Sequence, residues 1–241
     1  MRDSSDAIHI NEIFVSIQGE GRYIGTPSIF VRTTGCNLRC KWGETACDTP
    51  HTSWNAVGEM MPVSSVVERI KALHAEHDHI DHLVITGGEP ALQKHLPALA
   101  AAVRKDGFFT TLETNGTIFV DLDIDFVSVS PKLHSSTPIG DKFEKRHEAK
   151  RFSQDALGAW ITTTDYQLKF VVDRPEDEAE ILAMLETLNA DDVGRVYLMP
   201  QGITIDQLAG NAKLCVDMCV RHDWRFTPRA HIEIYGNEPG T

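Results

Sequence analysis

The sequence predicts an α/β fold with a mostly parallel sheet, and three observations predict it. Short apolar runs alternate with amphipathic, helix-spaced segments along nearly the whole chain, the pattern of right-handed βαβ units. Polar motifs follow almost every one of those runs, and ligands of parallel α/β sheets bind at the carboxyl ends of the strands. The chain has 241 residues, 41% of them hydrophobic. That suits a single domain over residues 1–241, and no linker, repeat or low-complexity stretch divides it.

The first element is a strand over residues 8–17, where apolar and polar residues alternate. It runs into Gln18-Gly19-Glu20-Gly21. Glycine lets backbone approach a ligand closely, and the neighbouring amide and carboxylate offer polar contacts. A second strand, residues 28–32, ends on Arg32, a guanidinium able to grip a carboxylate bidentately. Cys36, Cys40 and Cys47 follow, three of the five cysteines within twelve residues. Val63, Val66, Val67, Ile70 and Leu73 recur at helical spacing. Residues 83–86 form a short apolar strand, then Gly87-Gly88-Glu89-Pro90, then a helix with Leu92, Leu96, Leu99 and Val103 on one face.

The alternation continues to the end. Residues 108–112 lead to Glu113-Thr114-Asn115-Gly116, and residues 126–129 to Ser130-Pro131-Lys132. Residues 167–172 form a strand containing Lys169. Asp173 is expected to cap a helix starting at Pro175 and carrying Ile181, Leu182, Leu185 and Leu188. Residues 196–199 precede Pro200-Gln201-Gly202, and His231 falls in a last stretch read as a strand.

Composition excludes several classes. A net charge of −12 gives no general attraction to nucleic-acid backbones. No apolar run approaches the roughly 18 residues of a membrane span, and residues 1–6 lack the apolar stretch of a secretory signal. Clustered cysteines in odd number argue against a disulfide framework and for a reducing, cytoplasmic setting. Three features read as ordinary structure. The histidine-rich stretch 74–82 is a polar helix end, the basic stretch 142–151 is a solvated helix face, and Cys215 and Cys219 are small buried hydrophobes.

Three thiolates can hold three corners of a [4Fe–4S] cluster and leave one iron for a small molecule. Cys36 and Cys40 resemble the start of the C-x3-C-x2-C signature of radical S-adenosylmethionine (SAM) enzymes. The interval to Cys47 is x6, read as an insertion of residues 43–46 whose closure costs little entropy. Ala46 stands where the signature has an aromatic. Taken alone, the spacing also suits a structural zinc site in a non-enzymatic protein.

The wider set of motifs decides between these. SIQGEG, FVRTTGCNLRC, CDT, ITGGEP, ETNG, SPK, LMPQG and a late histidine together resemble the 7-carboxy-7-deazaguanine synthase family, across residues 10–235. A glycyl-radical activating enzyme would share the cysteines and GGEP but is expected to lack the early QGEG and SPK. The resemblance implies an incomplete (β/α)6 radical SAM barrel, with the cluster loop at residues 36–47. It implies a carbon–nitrogen lyase that contracts the ring of 6-carboxy-5,6,7,8-tetrahydropterin with loss of ammonia, on the route to queuosine and other 7-deazapurines. A SAM-derived radical does the chemistry, so no side chain is expected to be catalytic.

The same resemblance assigns residues. Cys36, Cys40 and Cys47 hold the cluster, and Thr49 lies by Mg2+. Ala46, Asp48, Gly88, Glu89, Glu113, Asn115, Ser130, Pro131, Lys132 and Gln201 contact SAM. Ile17, Gln18, Gly19, Glu20, Arg32, Thr86 and His231 contact the pterin, with Arg32 and His231 supplying positive charge. Arg229 and Ile232 depart from the family's usual Gln and Lys. A flavodoxin or ferredoxin is the expected electron donor, and a homodimer the expected assembly.

Overall fold

The computed structural model describes residues 6–238 and 240; residues 1–5, part of the stretch read for a secretory signal, lie outside it. The chain begins with β1 (Ala7–Ile17) and β2 (Pro27–Thr33), an antiparallel pair. Two short strands, β3 (Lys41–Trp42) and β4 (Thr45–Ala46), form a separate hairpin. Next come β5 (Glu59–Pro62), α1 (Val63–Glu76), β6 (His82–Gly87), α2 (Leu96–Lys105), β7 (Phe109–Thr114) and β8 (Phe126–Val129). Then follow α3 (Glu144–Glu148), α4 (Gln154–Thr163), β9 (Asp165–Val172), α5 (Asp177–Leu188), β10 (Val196–Pro200), α6 (Ile205–His222), β11 (Arg225–Phe226) and α7 (Ala230–Tyr235).

The main sheet has the order β11-β10-β9-β8-β7-β6-β2-β1-β5. From β2 to β11 every pairing is parallel. The antiparallel strands β1 and β5 extend the β2 edge. The sheet therefore ends at β5 and β11 and does not close, as expected for an incomplete barrel. Its central strands are apolar on both faces, with Ile29, Val31, Leu83, Val84, Ile85, Leu168, Phe170 and Leu198 all at 7% exposure or less. A parallel strand covered on both faces needs that composition. The helices bury one stripe each: Val66 and Ile70 of α1, Leu96, Leu99 and Val103 of α2, Ile181 and Leu188 of α5. Cys215 and Cys219 lie in the same core. Burial pushes their thiols up to about 12 and about 11, so both stay protonated and pack as small apolar groups.

The structure corrects several expectations. The crossover from β7 to β8 has no helix. Instead the Trp160 indole of α4 donates to the Ile118 carbonyl at 2.9 Å and packs edge-on against Phe119, so a side chain holds what a helix would otherwise cover. Leu92 is exposed, because Pro90–Leu92 is a separate 3-10 turn and α2 begins at Leu96. Asp173 does not cap α5; the Asp177 carboxylate instead accepts from the backbone N–H groups of Asp173 and Arg174. The C-terminal histidine segment is helical, since the Arg229 carbonyl accepts from Ile232 and Glu233 and starts a turn.

α3 is pinned against the cysteine loop by His147. Its Nδ1 accepts from the Arg39 backbone N–H at 3.2 Å, which leaves Nε2 to donate to Ser136 Oγ at 3.1 Å. Burial holds this imidazole neutral, its pKa down to about 4. The histidine-rich stretch 74–82 is not one polar helix end: α1 stops at Glu76, His79 stays at the surface beyond it, and His82 opens β6 in the core between the Ser28 and Thr111 hydroxyls.

Trp160→Phe keeps most of the packing and removes the bond to Ile118. It is expected to lower unfolding free energy by about 1–3 kcal/mol, the cost of a buried unsatisfied carbonyl. Urea unfolding checks this, and an unchanged midpoint would mean the helix-free crossover is held by other contacts.

Candidate active site

A cavity of about 390 Å3 opens on the inner side of the sheet. The residues after β6, β7, β8 and β10 reach it, as does the cysteine loop that follows β2. The turn after β1 crosses the inner face to β9, where Gln167 Oε1 accepts from the Arg22 backbone N–H at 2.8 Å. Only glycine fits the crossing: Gly21 has φ +72°, and a Cβ there would lie 2.1 Å from Gln167 Nε2. The turn places Ile17, Gln18, Gly19 and Glu20 in the cavity wall.

The cysteine loop is built so that its uneven spacing does not matter. Residues 43–46 belong to the β3–β4 hairpin, with Lys41 opposite Ala46 and Trp42 opposite Thr45. Gly43 supplies the left-handed turn at φ 55°. The Cys47 N–H then bonds the Cys40 carbonyl at 3.1 Å, so the two cysteines face each other at the hairpin base. Cys36, Cys40 and Cys47 all line the cavity. Burial raises all three thiols, Cys47 to about 11, so thiolates there need a cationic partner. Three free thiols at one cavity, with Cys215 and Cys219 in the core away from it, fit the three corners of a [4Fe–4S] cluster that cysteine sulfur would hold.

Beside the cysteines, the Gly-Gly turn is joined to the loop. Gly88 N–H donates to the Thr33 carbonyl and Glu89 N–H to the Gly35 carbonyl at 2.8 Å. A Cβ on Gly88 would lie 2.4 Å from the Gly35 carbonyl oxygen. Glu89 stands directly behind the wall, fully buried, and its carboxylate accepts from Ala91 N–H, Thr114 Oγ1 and Asn115 N–H at 3.0, 2.7 and 2.7 Å. These bonds brace the turns after β6 and β7 and still leave a lone pair of the carboxylate for a ligand's donor. Pro131 is likewise buried outside the cavity lining. Gly88, Asn115, Ser130, Lys132, Gln201, Ala46 and Asp48 do line it. Glu113 does too, accepting from Gln18 Nε2 at 3.0 Å and Thr86 Oγ1 at 2.8 Å.

The opposite wall is an ion network. Lys169, only 6% exposed, pairs with Glu20, and Arg229, 5% exposed, pairs with Glu20 at 2.9 Å and with Asp48. A third Arg229 bond reaches the Gly202 carbonyl at 2.8 Å. Burial alone would raise the Glu20 carboxyl, but Lys169 and Arg229 together hold it well below the usual carboxylate range. Arg229 does the same for Asp48. His231 lies 3.9 Å from Glu20 and packs on Gly19, where a Cβ would sit 2.0 Å from its Nδ1. Burial pushes this imidazole down, against the pull of Glu20 in the other direction. Arg32 lines the cavity with its charge engaged by Glu12 at 2.6 Å and its guanidinium over Phe14. Phe14 stacks on Phe30 at 5.1 Å.

Sequence reasoning missed Lys169 as a site residue, and met Arg229 only as a departure from the family's usual Gln, with no ionic role. A lysine inside an otherwise apolar central strand was the available signal for the first, since such a charge is tolerated only when paired. Trp42 was missed as well; the hairpin turns it into the cavity wall beside Ala46.

Two variants test the architecture. Glu89→Gln sets an amide N–H2 against backbone donors and is expected to cost about 1–3 kcal/mol of stability, read by thermal unfolding; unchanged stability would mean that Glu89 does not brace these turns. Arg229→Gln is expected to speed amide hydrogen exchange both near Asp48 and in α7. Faster exchange on one side only would show that Arg229 does not couple them.

The chain matches the Radical SAM superfamily over residues 30–215. It is 42% identical to a 7-carboxy-7-deazaguanine synthase of Halobacterium salinarum, over 98% of this chain and 93% of that one. A 7-carboxy-7-deazaguanine synthase of Rhodopirellula baltica is 36% identical over 100% of this chain and 91% of its own length. The crystal structure of QueE from Escherichia coli superposes with a TM-score of 0.69 at 27% identity, covering 93% of this chain and 95% of that one. Matches of this extent, to relatives carrying one activity, place a cavity walled by three thiols in its family: the chain belongs to the 7-carboxy-7-deazaguanine synthases of the radical SAM superfamily.

Proposed function

We propose that this protein converts 6-carboxy-5,6,7,8-tetrahydropterin to 7-carboxy-7-deazaguanine with loss of ammonia, in the biosynthesis of queuosine or another 7-deazapurine. One observation carries the reading. A single cavity is lined both by the three thiols of the cysteine loop and by the polar set Gln18, Glu20, Glu113 and Lys169, of which Gln18 and Lys169 are buried. The cofactors, a [4Fe–4S] cluster and SAM, supply when bound a 5′-deoxyadenosyl radical that takes hydrogen from C6 of the substrate.

The chain's own work is positioning. Cys36, Cys40 and Cys47 hold the cluster. Gly88, Asn115, Ser130, Lys132, Gln201, Ala46, Asp48 and Glu113 surround SAM, with Glu89 bracing them from behind. Ile17, Gln18, Gly19, Glu20, Thr86 and His231 face the pterin ring. A flat heterocycle fits against Phe14 and Phe30, and Arg32 lies over the same aromatic face. Such a radical is indiscriminate, so selectivity rests on holding one C–H bond in place. Buried polar groups also reject analogues that leave them unpaired. Thr49, in the cavity wall with its hydroxyl 3.5 Å from Asp48 Oδ1, would meet Mg2+ through hard oxygen. The protein would work as one radical SAM unit with its cluster loop at residues 36–47, in the cytoplasm, as a homodimer, with an external one-electron donor. No helix among the described residues is long and apolar enough to cross a membrane.

Anaerobic incubation with SAM and substrate carrying deuterium at C6 tests the reading by mass spectrometry. Label is expected in SAM or 5′-deoxyadenosine, together with 7-carboxy-7-deazaguanine. SAM cleavage with the pterin left intact would reject it. Cys47→Ala is expected to lose the cluster's visible absorbance and Cys215→Ala to keep it. Mg2+ is expected to raise turnover of wild type and to do so less in Thr49→Ala; equal stimulation removes Thr49 from that role.

A further inference from the structure

The cysteine loop has an outer side as well as an inner one, and its outer side is covered by the basic segment of residues 134–151. The contact is specific. The Arg39 backbone N–H donates to His147, and the Arg39 guanidinium donates to the Cys36 carbonyl at 2.8 Å while lying over the Phe143 ring at 5.3 Å. From the other flank, the Trp54 indole donates to the Cys40 carbonyl at 3.1 Å and meets the same Phe143 ring edge-on at 5.7 Å. One aromatic residue thus backs the two side chains that bond the carbonyls of Cys36 and Cys40. A shallow depression between Asn37, Arg39, Phe143, Arg146 and His147 marks the seam.

The surface above Phe143 is strongly cationic. Residues 142–151 hold five Lys or Arg and two Asp or Glu, in a chain whose net charge is −12. Lys142, Lys145, Arg146 and Lys150 are exposed. Among the described residues none of these four is in an ion pair, whereas Glu148 is already taken by Arg151 and His134. A solvated helix face in an acidic protein would be expected to mix signs and pair them. Here the acids are used within the segment and the cations are left facing water.

We propose that this patch is the docking surface for a small acidic one-electron carrier protein, which delivers its electron to the cluster past Phe143, Arg39 and Trp54, the side chains that lie against the cysteine loop. The inference rests on the radical SAM reading and adds where the reductant binds. One electron leaves the carrier, which is oxidised by one equivalent, and enters the cluster, which is reduced by one; no atom is transferred. A local positive field on a negative protein steers an acidic partner to this face and repels it elsewhere, and the attraction weakens with salt.

The test uses the full chain with the Lys142→Glu/Lys145→Glu/Arg146→Glu variant, and Lys105→Glu as a control on the exposed end of α2. Binding is read first, by titrating flavodoxin, an acidic flavin carrier, and following flavin fluorescence at low and high salt. The triple variant is expected to weaken binding ten-fold or more and to lose the salt dependence, while Lys105→Glu leaves both within two-fold. SAM cleavage is then driven either by reduced flavodoxin or by dithionite. The variant should fail with flavodoxin and match wild type with dithionite. Equal flavodoxin binding by variant and wild type overturns the proposal, and so does loss of the dithionite-driven rate in the variant, which would make the segment a support of the loop. Absence of SAM cleavage by wild type with dithionite would instead count against the radical SAM reading, even if flavodoxin still binds at the patch.

Discussion

Arg229 is the interaction on which the assembled cavity depends. One guanidinium meets Glu20 from the first turn of the chain, Asp48 from the cysteine loop, and the Gly202 carbonyl after β10. These groups are far apart in sequence, and Arg229 and Glu20 are nearly water-free in the fold while Asp48 stays partly exposed. Removing one partner of a buried pair leaves an uncompensated charge, and this is far more costly than the pair's net worth. The network therefore fixes geometry more than it adds stability. It ties the cavity-lining turn after β1, the cysteine loop and the last helix into one wall. Lys169 completes the neutralisation of Glu20 from β9.

That arrangement explains the cavity's polarity. Glu20 and Asp48 are held ionised by the cations built against them, while burial outweighs Glu20 in pushing the His231 imidazole down. Such a wall presents directional donors and acceptors to a polar ring without a large excess of one sign. Pre-set dipoles in a dry site need little rearrangement when a ligand arrives. Glu89 does comparable work on the other side, behind the cavity wall: three donors converge on it and hold the turns after β6 and β7 together.

Much of this was legible in the sequence, for identifiable reasons. Strand runs such as residues 83–86 and 126–129 are mostly apolar because both faces are buried, and their ends carry the motifs. The cysteines, the Gly-Gly turn and Gln18 to Glu20 announce themselves by residue type and spacing. What was not legible depends on three-dimensional partners. That Glu89 also braces two turns shows only once its three backbone and hydroxyl donors are in place. That His231 packs on Gly19 beside Glu20 is equally invisible in one dimension. The missing helix between β7 and β8 leaves no mark in residues 115–125, because its replacement is a single indole from α4. The basic stretch around α3 reads as solvated surface in one dimension; only its seating on Arg39 and Trp54 gives it a location that matters.

The β3–β4 hairpin carries a consequence of its own. The distance between Cys40 and Cys47 is set by the rung at the hairpin's base, where Cys47 N–H meets the Cys40 carbonyl, and not by the number of residues beyond it. Everything past that rung is a tongue whose tip, Gly43-Glu44, projects into water. Counting residues between ligands is then the wrong ruler for this loop. Extra ladder pairs can be threaded in at the tip, or a reporter group carried there, with the sulfur positions left where the base holds them.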